Sequence, residues 1–155
     1  MRIYIESTIP SYVVARPARD LLQAARQQLT RDWWDLQREK HDLFTSQLVL
    51  DEIAAGEREM AKRRLEMLGN TPLLESIEEA RELTRSIMDL GLLPARAEGD
   101  AAHIALATVH GMDILLTWNC RHIANAAIVR QLRRRLQTQG HILPEIYTPA
   151  ELVGE

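Results

Sequence analysis

Apolar positions along this chain change their spacing from one segment to the next, and the changes mark out elements. Arg2 to Ile5 is a short β-branched and aromatic run stopped by Glu6-Ser7-Thr8 and Pro10, which predicts a strand followed by the first turn of a helix. From about Ala18 to Lys40, Leu21, Leu22, Ala25, Leu29, Trp33 and Leu36 recur at helical steps. They predict an amphipathic helix or helical hairpin held down by Trp33 and Trp34. Leu43-Phe44-Thr45 reads as a short strand, Ser46 as an N-cap, and Leu48, Val49, Leu50 and Ile53 as one helix stopped at Gly56.

A further helix is predicted from about Glu57 to Leu68, a turn at Gly69-Asn70-Thr71-Pro72, a strand at Leu73-Leu74-Glu75 and a helix from Glu78 to Leu90 ended by Gly91. After the punctuated stretch Leu93 to Gly99, Asp100 opens a helix that Gly111 closes. Asp113 to Thr117 is so continuously apolar that it predicts a strand buried on both faces. A helix from about Ala124 to Gln137, an edge strand at Pro144 to Thr148 and a capped C-terminal turn complete the pattern. Alternating strands and helices predict an α/β fold, a mainly parallel central sheet covered by helices on both faces.

Composition narrows the class. A chain of 155 residues with 46% hydrophobic content suits one domain, 1-155, with a proper core. A single cysteine, Cys120, precludes an internal disulfide, no signal-peptide pattern opens the chain, and charged residues interrupt every long apolar run. The expectation is a cytoplasmic protein with no membrane role. A net charge of −3 does not favour a polyanionic partner, but Lys62-Arg63-Arg64 and Arg133-Arg134-Arg135 are local basic clusters, with Arg16, Arg19 and Arg26 scattered near the N-terminus. Each cluster is also what a solvated helix face looks like.

Open parallel sheets bind ligands beyond the carboxyl ends of their strands. Glu6 directly follows the first predicted strand and Asn119 follows Ile114 to Thr117, so both fall on that edge. Glu52 lies near the border of the apolar arc of its helix while Asp51 points away. A carboxylate tilted inward needs a cation or hydrogen-bond donors. Asp100, at a helix start, is accounted for by the helix dipole alone. Carboxylates gathered together repel, and hard oxygen ligands of this kind suit Mg²⁺ or Mn²⁺. Such an ion orients a phosphodiester and lowers the pKa of an attacking water.

Ile3-Tyr4-Ile5-Glu6-Ser7-Thr8, Ser46 to Ile53, Asp100-Ala101-Ala102-His103-Ile104-Ala105 and Leu116 to Ile123 together resemble, in order and spacing across nearly the whole chain, the PIN-domain family and in particular its VapC-type toxins. The resemblance implies catalytic and metal-site roles for Glu6, Glu52, Asp100 and Asn119, with Ser7 or Thr117 supporting them through hydroxyl hydrogen bonds. It also implies a homodimer, a cognate antitoxin and endoribonuclease action on an RNA substrate. Two positions depart from it. The family commonly has Asp where this chain has the longer Glu6 and the neutral Asn119, and an amide oxygen brings no negative charge to a metal.

Other features carry less. His103, His110 and His122 lack a compact zinc-binding spacing, and Cys120 reads as a packing residue. Trp118, beside the expected site, is the better aromatic candidate for substrate contact. Neither GxxxxGK[ST] nor GxGxxG is present, so the phosphate cradles of nucleotide hydrolysis and dinucleotide chemistry are missing. The leading expectation is a Mg²⁺/Mn²⁺-dependent ribonuclease of toxin type. Its alternatives are a structure-specific DNA nuclease using the same residues and a non-catalytic RNA-binding module with the same fold.

Overall fold

A computed structural model describes residues 1–153. Five strands, β1 (Arg2–Ile5), β2 (Asp42–Ser46), β3 (Leu73–Leu74), β4 (Ile114–Leu116) and β5 (Glu145–Tyr147), form one sheet in the order β3-β2-β1-β4-β5. Every pairing is parallel. Among the described residues seven α-helices flank it: α1 (Thr8–Val14), α2 (Leu21–Gln37), α3 (Gln47–Ile53), α4 (Arg58–Leu68), α5 (Glu78–Asp89), α6 (Glu98–Val109) and α7 (Ala126–Gln137). The chain moves from β1 outward through β2 to β3, then returns to the other side of β1 for β4 and β5. Right-handed crossovers in opposite directions lay helices on opposite faces, and the reversal leaves a crevice at the carboxyl ends of β1 and β4.

The core explains why those two strands are central. Ile3, Tyr4, Ile5, Leu115 and Leu116 are fully buried, so both faces of β1 and β4 meet side chains. Register places Ile5 beside Leu116, and the Glu6 N–H continues the ladder to the Leu116 carbonyl. Glu6 and Thr117 therefore leave the sheet side by side. Gly111, at φ +64°, lets the chain reverse after α6, so that Met112 N–H reaches the Ala107 carbonyl and β4 starts in register.

Two expectations change. The long N-terminal helix, α2, buries only part of its predicted stripe: Trp33 is buried and Leu29 and Trp34 pack against the core, but Leu21, Leu22 and Leu36 are exposed, and Gln27, Thr30 and Gln37 face inward. Local polar partners make this orientation possible. The Gln27 side chain accepts from Ala18 N–H and donates to the Arg16 carbonyl, while Thr30 Oγ1 donates to Arg26 O and accepts from Trp118 Nε1–H. Second, α6 starts at Glu98 rather than Asp100 because a 3-10 turn over Ala95–Ala97 runs directly into it. Asp100 thus sits inside the first turn and caps nothing.

Candidate functional site

The three motifs that end β1, begin α3 and leave β4 converge at the crevice. Glu6, which is 4% exposed, is fastened by one oxygen: its Oε2 accepts from Thr8 N–H, Thr8 Oγ1–H and Thr117 Oγ1–H. Oε1 has no partner among the described residues. Thr117 also accepts from Asn119 N–H and Thr8 Oγ1 accepts from Trp118 N–H, so the segment after β4 is tied to the segment after β1.

Glu52 is held in the same manner from the other side. Ser46 caps α3 by accepting from Val49 N–H, which fixes the helix phase and turns Glu52 toward the crevice. Its Oε1 accepts from Ser7 Oγ–H and faces His103 Nε2 at 2.6 Å. Oε2 has no hydrogen-bond partner among the described residues and lies 3.8 Å from where a Cβ on Gly99 would stand, next to Asp100. Burial works against its charge, yet the hydrogen bonds from His103 and Ser7 outweigh it, and the carboxyl lies below its ordinary value. A ring nitrogen 2.6 Å from a carboxylate carries the hydrogen, so His103 Nε2 donates.

Behind it runs a buried chain. His103 Nδ1 lies 2.7 Å from the Tyr4 hydroxyl, which lies 2.7 Å from Ser46 Oγ. Burial drives the Tyr4 phenol far above its usual pKa, so its hydrogen stays in place. One assignment satisfies every atom: Ser46 O–H donates to Tyr4, Tyr4 O–H to His103 Nδ1, and His103 Nε2–H to Glu52. Glu6, Glu52 and His103 each bring a possible ligand atom within 4.8 Å of the others. With its Nε2 hydrogen directed at Glu52, His103 acts there as a donor, which leaves the oxygens of Glu6 and Glu52 as the atoms that could hold an ion.

Asp100 and Asn119 form a second group. Asn119 Nδ2–H donates to Asp100 Oδ1 at 3.0 Å, His122 Nδ1 lies 2.9 Å from Asp100 Oδ2, and the Asn119 side-chain oxygen accepts from His122 N–H. The amide therefore turns its donor, not its oxygen, toward the acid. Of the sequence candidates, the structure brings Glu6 and Glu52 together, sets Ser7 on Glu52 and Thr117 on Glu6, and puts Asn119 against Asp100. Tyr4, His103 and His122 are the neighbours that sequence reasoning passed over. Their signal was present, since His103 stands three residues after Asp100 on one helix and His122 three after Asn119.

Trp118 is not an open substrate platform. It is 8% exposed, bonded to Thr30, and covered by the Tyr12 ring and the Arg26 guanidinium. Cys120, expected to pack, is exposed instead. No helix among the described residues is long and apolar enough to cross a membrane.

The donor set fits a hard divalent cation. Two carboxylates are each anchored through one oxygen and keep the other, and a third stands at the start of α6. No family model and no curated protein matches the chain. Among solved structures it is similar to a chain of the crystal structure of VapBC2 from Rickettsia felis bound to a DNA fragment from their promoter, with a TM-score of 0.60 and 13% identity over 96% of this chain and 98% of that one. Such a likeness speaks to architecture, and with the strand order and crevice described above it gives this chain the PIN-like α/β fold.

Proposed function

We propose that the chain is a divalent-metal-dependent endoribonuclease, the toxin of a toxin-antitoxin pair. The observation that carries this reading is the half-anchored state of Glu6 and Glu52 at the carboxyl edge of a parallel sheet, each with one oxygen left for a ligand. Two acids set side by side, each with spare lone pairs on its free oxygen, present hard ligand atoms to a cation before it arrives.

In this proposal Glu6, Glu52 and Asp100 hold Mg²⁺ or Mn²⁺. When bound, the ion supplies positive charge that orients a phosphodiester and makes a water more acidic. The chain's own groups do the rest. Thr8 and Thr117 fix Glu6; Ser7 and His103 fix Glu52; Asn119 and His122 fix Asp100. Asn119 serves as an orienting residue that neutralises nothing. The likeness to a VapBC2 chain supports a cognate antitoxin partner and, with the resemblance of the motifs, a homodimeric toxin.

Purified protein incubated with RNA and Mn²⁺, beside an Asp100→Asn variant, tests the reading. Wild type should cleave and the variant should not; equal cleavage by both overturns it. DNA of the same sequence as competitor separates a ribonuclease from a DNA nuclease. One observation favours a second reading: both Asp100 oxygens already accept hydrogen bonds, and Asn119 contributes no charge. A non-catalytic RNA-binding module would bind RNA equally with and without chelator and cleave it at no metal concentration.

A further inference from the structure

The two contiguous basic clusters of the chain differ once their partners are known. On α4, Lys62 pairs with Glu66, Arg63 with Glu59, and Arg64 donates to the Ile53 and Ala55 carbonyls. That cluster is compensated within itself. On α7 there is no acidic residue at all. Arg133 is used structurally, donating to the Leu143 and Pro144 carbonyls, but Arg130 and Arg134 are exposed and their side chains have no partner among the described residues. A helix dipole accounts for Arg134 and Arg135 in the last turn; it does not account for Arg130 in the middle.

Arg130 and Arg134 stand one turn apart, roughly 6 Å along the axis, on the wall of a groove of about 870 Å³ between α7 and β5. Its lining includes Val129, Ile146 and Cys120, the residue after Asn119. The turn from Asn119 is closed by Ile123 N–H and Ala124 N–H on the Asn119 carbonyl, and Asn125 then caps α7. The groove and the candidate site thus share one loop, Asn119 bonding to Asp100 and Cys120 and Ala124 lining the groove. Its two acids are already engaged: Glu145 is 3.5 Å from Arg133, and Glu151 accepts from Thr148 N–H and its hydroxyl.

We infer that this groove is a phosphate track for the RNA, in which Arg130 and Arg134 bind backbone phosphates of the strand leaving the site. The inference rests on the ribonuclease reading and names where its substrate lies. A tract of uncompensated arginines on a protein of net charge −3 gives sequence-independent, salt-sensitive binding. Arginine is suited to it because its planar fork matches phosphate oxygens.

The test measures binding of a labelled single-stranded RNA by fluorescence anisotropy in EDTA, so that no cleavage enters. Arg130→Gln/Arg134→Gln should weaken binding alike for different sequences and lower the slope of log K against log salt by about 1.4, at about 0.7 per phosphate contact. The gap between wild type and variant should then shrink about sevenfold between 50 and 200 mM salt. Arg130→Gln alone should give about half that change in slope, and Arg130→Lys/Arg134→Lys should restore it. Lys62→Gln/Arg63→Gln, an equal change in net charge on α4, should leave the slope as in wild type. An unchanged slope in the α7 double variant overturns the inference and makes the groove a seat for something else, such as an acidic peptide. So does an equal loss in the α4 control. Cleavage by wild type with normal RNA binding by the α7 variant removes the track and leaves the ribonuclease standing; absence of any RNA binding by wild type removes both.

Discussion

Tyr4→Phe removes a single oxygen from the interior and keeps the ring that fills the core, so it isolates the hydrogen-bond chain from packing. Tyr4, Ser46 and His103 are all essentially inaccessible to solvent. Ser46 keeps the Val49 N–H after the change, but its own O–H loses its acceptor and His103 Nδ1 loses its donor. A buried acceptor left without a donor costs about 1–3 kcal/mol. At about 2–4 °C per kcal/mol for a domain of this size, the melting temperature should fall by about 2–12 °C. Ser46→Ala leaves Tyr4 donating to His103 but removes the donor to Tyr4 and the α3 cap, a cap alone being worth about 0.5–2 kcal/mol. The two changes share one bond, and the double variant should be less destabilised than their sum by about 0.5 kcal/mol or more.

Urea denaturation and thermal melts in EDTA measure these quantities, and titration with Mn²⁺ adds a functional reading. Residues directly behind metal ligands are worth about 10–100-fold in affinity. Tyr4 stands one bond further out than His103, so Tyr4→Phe should weaken Mn²⁺ binding by less than about tenfold. A Tyr4→Phe protein within about 0.5 kcal/mol of wild type, the range of a surface substitution, together with strict additivity in the cycle, would refute the assigned chain of donors.

Asn119→Asp replaces a donor to Asp100 with a second carboxylate about where Nδ2 stands, 3.0 Å away. In EDTA it should be less stable than wild type, and Mn²⁺ should raise its melting temperature by more than it raises that of wild type; an equal rise would show that residue 119 lies outside the ion's reach. Thr30→Val strands the buried Trp118 N–H and should lower stability by about 1–3 kcal/mol in thermal melts, without changing RNA affinity. Glu52, whose carboxyl lies below its ordinary value of 4.5 in the folded chain, adds stability that is fully present above that value and disappears as pH falls through the folded value. Metal-free Glu52→Gln should therefore show a flatter acid limb in stability against pH than wild type; an unchanged limb would mean that His103 and Ser7 do not hold its charge.

The strands, and the edge on which chemistry would collect, were readable because they depend on local pattern. Ile3-Tyr4-Ile5 and Ile114-Leu115-Leu116 are continuous apolar runs, and such runs belong to the buried centre of a parallel sheet. Polar residues that follow them directly have nowhere to go but the crevice. The face of α2 was not readable by the same rule. Periodicity ranks leucine above glutamine as a core residue, but Gln27 and Thr30 had partners 9 to 88 residues away that no local window contains. With those bonds made, burying the amide and hydroxyl costs little, and Leu21, Leu22 and Leu36 are left outside.

The same limit explains the candidate site. Residue types and spacing single out Glu6, Glu52, Asp100 and Asn119, but not what each one touches. His103 looked like an ordinary histidine on an apolar helix. Its meaning comes from Tyr4, 99 positions earlier, and Glu52, 51 positions earlier. Asn119 looked like a weakened ligand because the carboxylate usual in the resembled family was missing. In the fold its amide does what a carboxylate could not, donating to Asp100 while accepting from the backbone of His122. The neutral residue is thus, with His122, the partner that Asp100 requires, and in the proposed site the charge offered to a cation is carried by three acids whose side chains are oriented before any ion arrives.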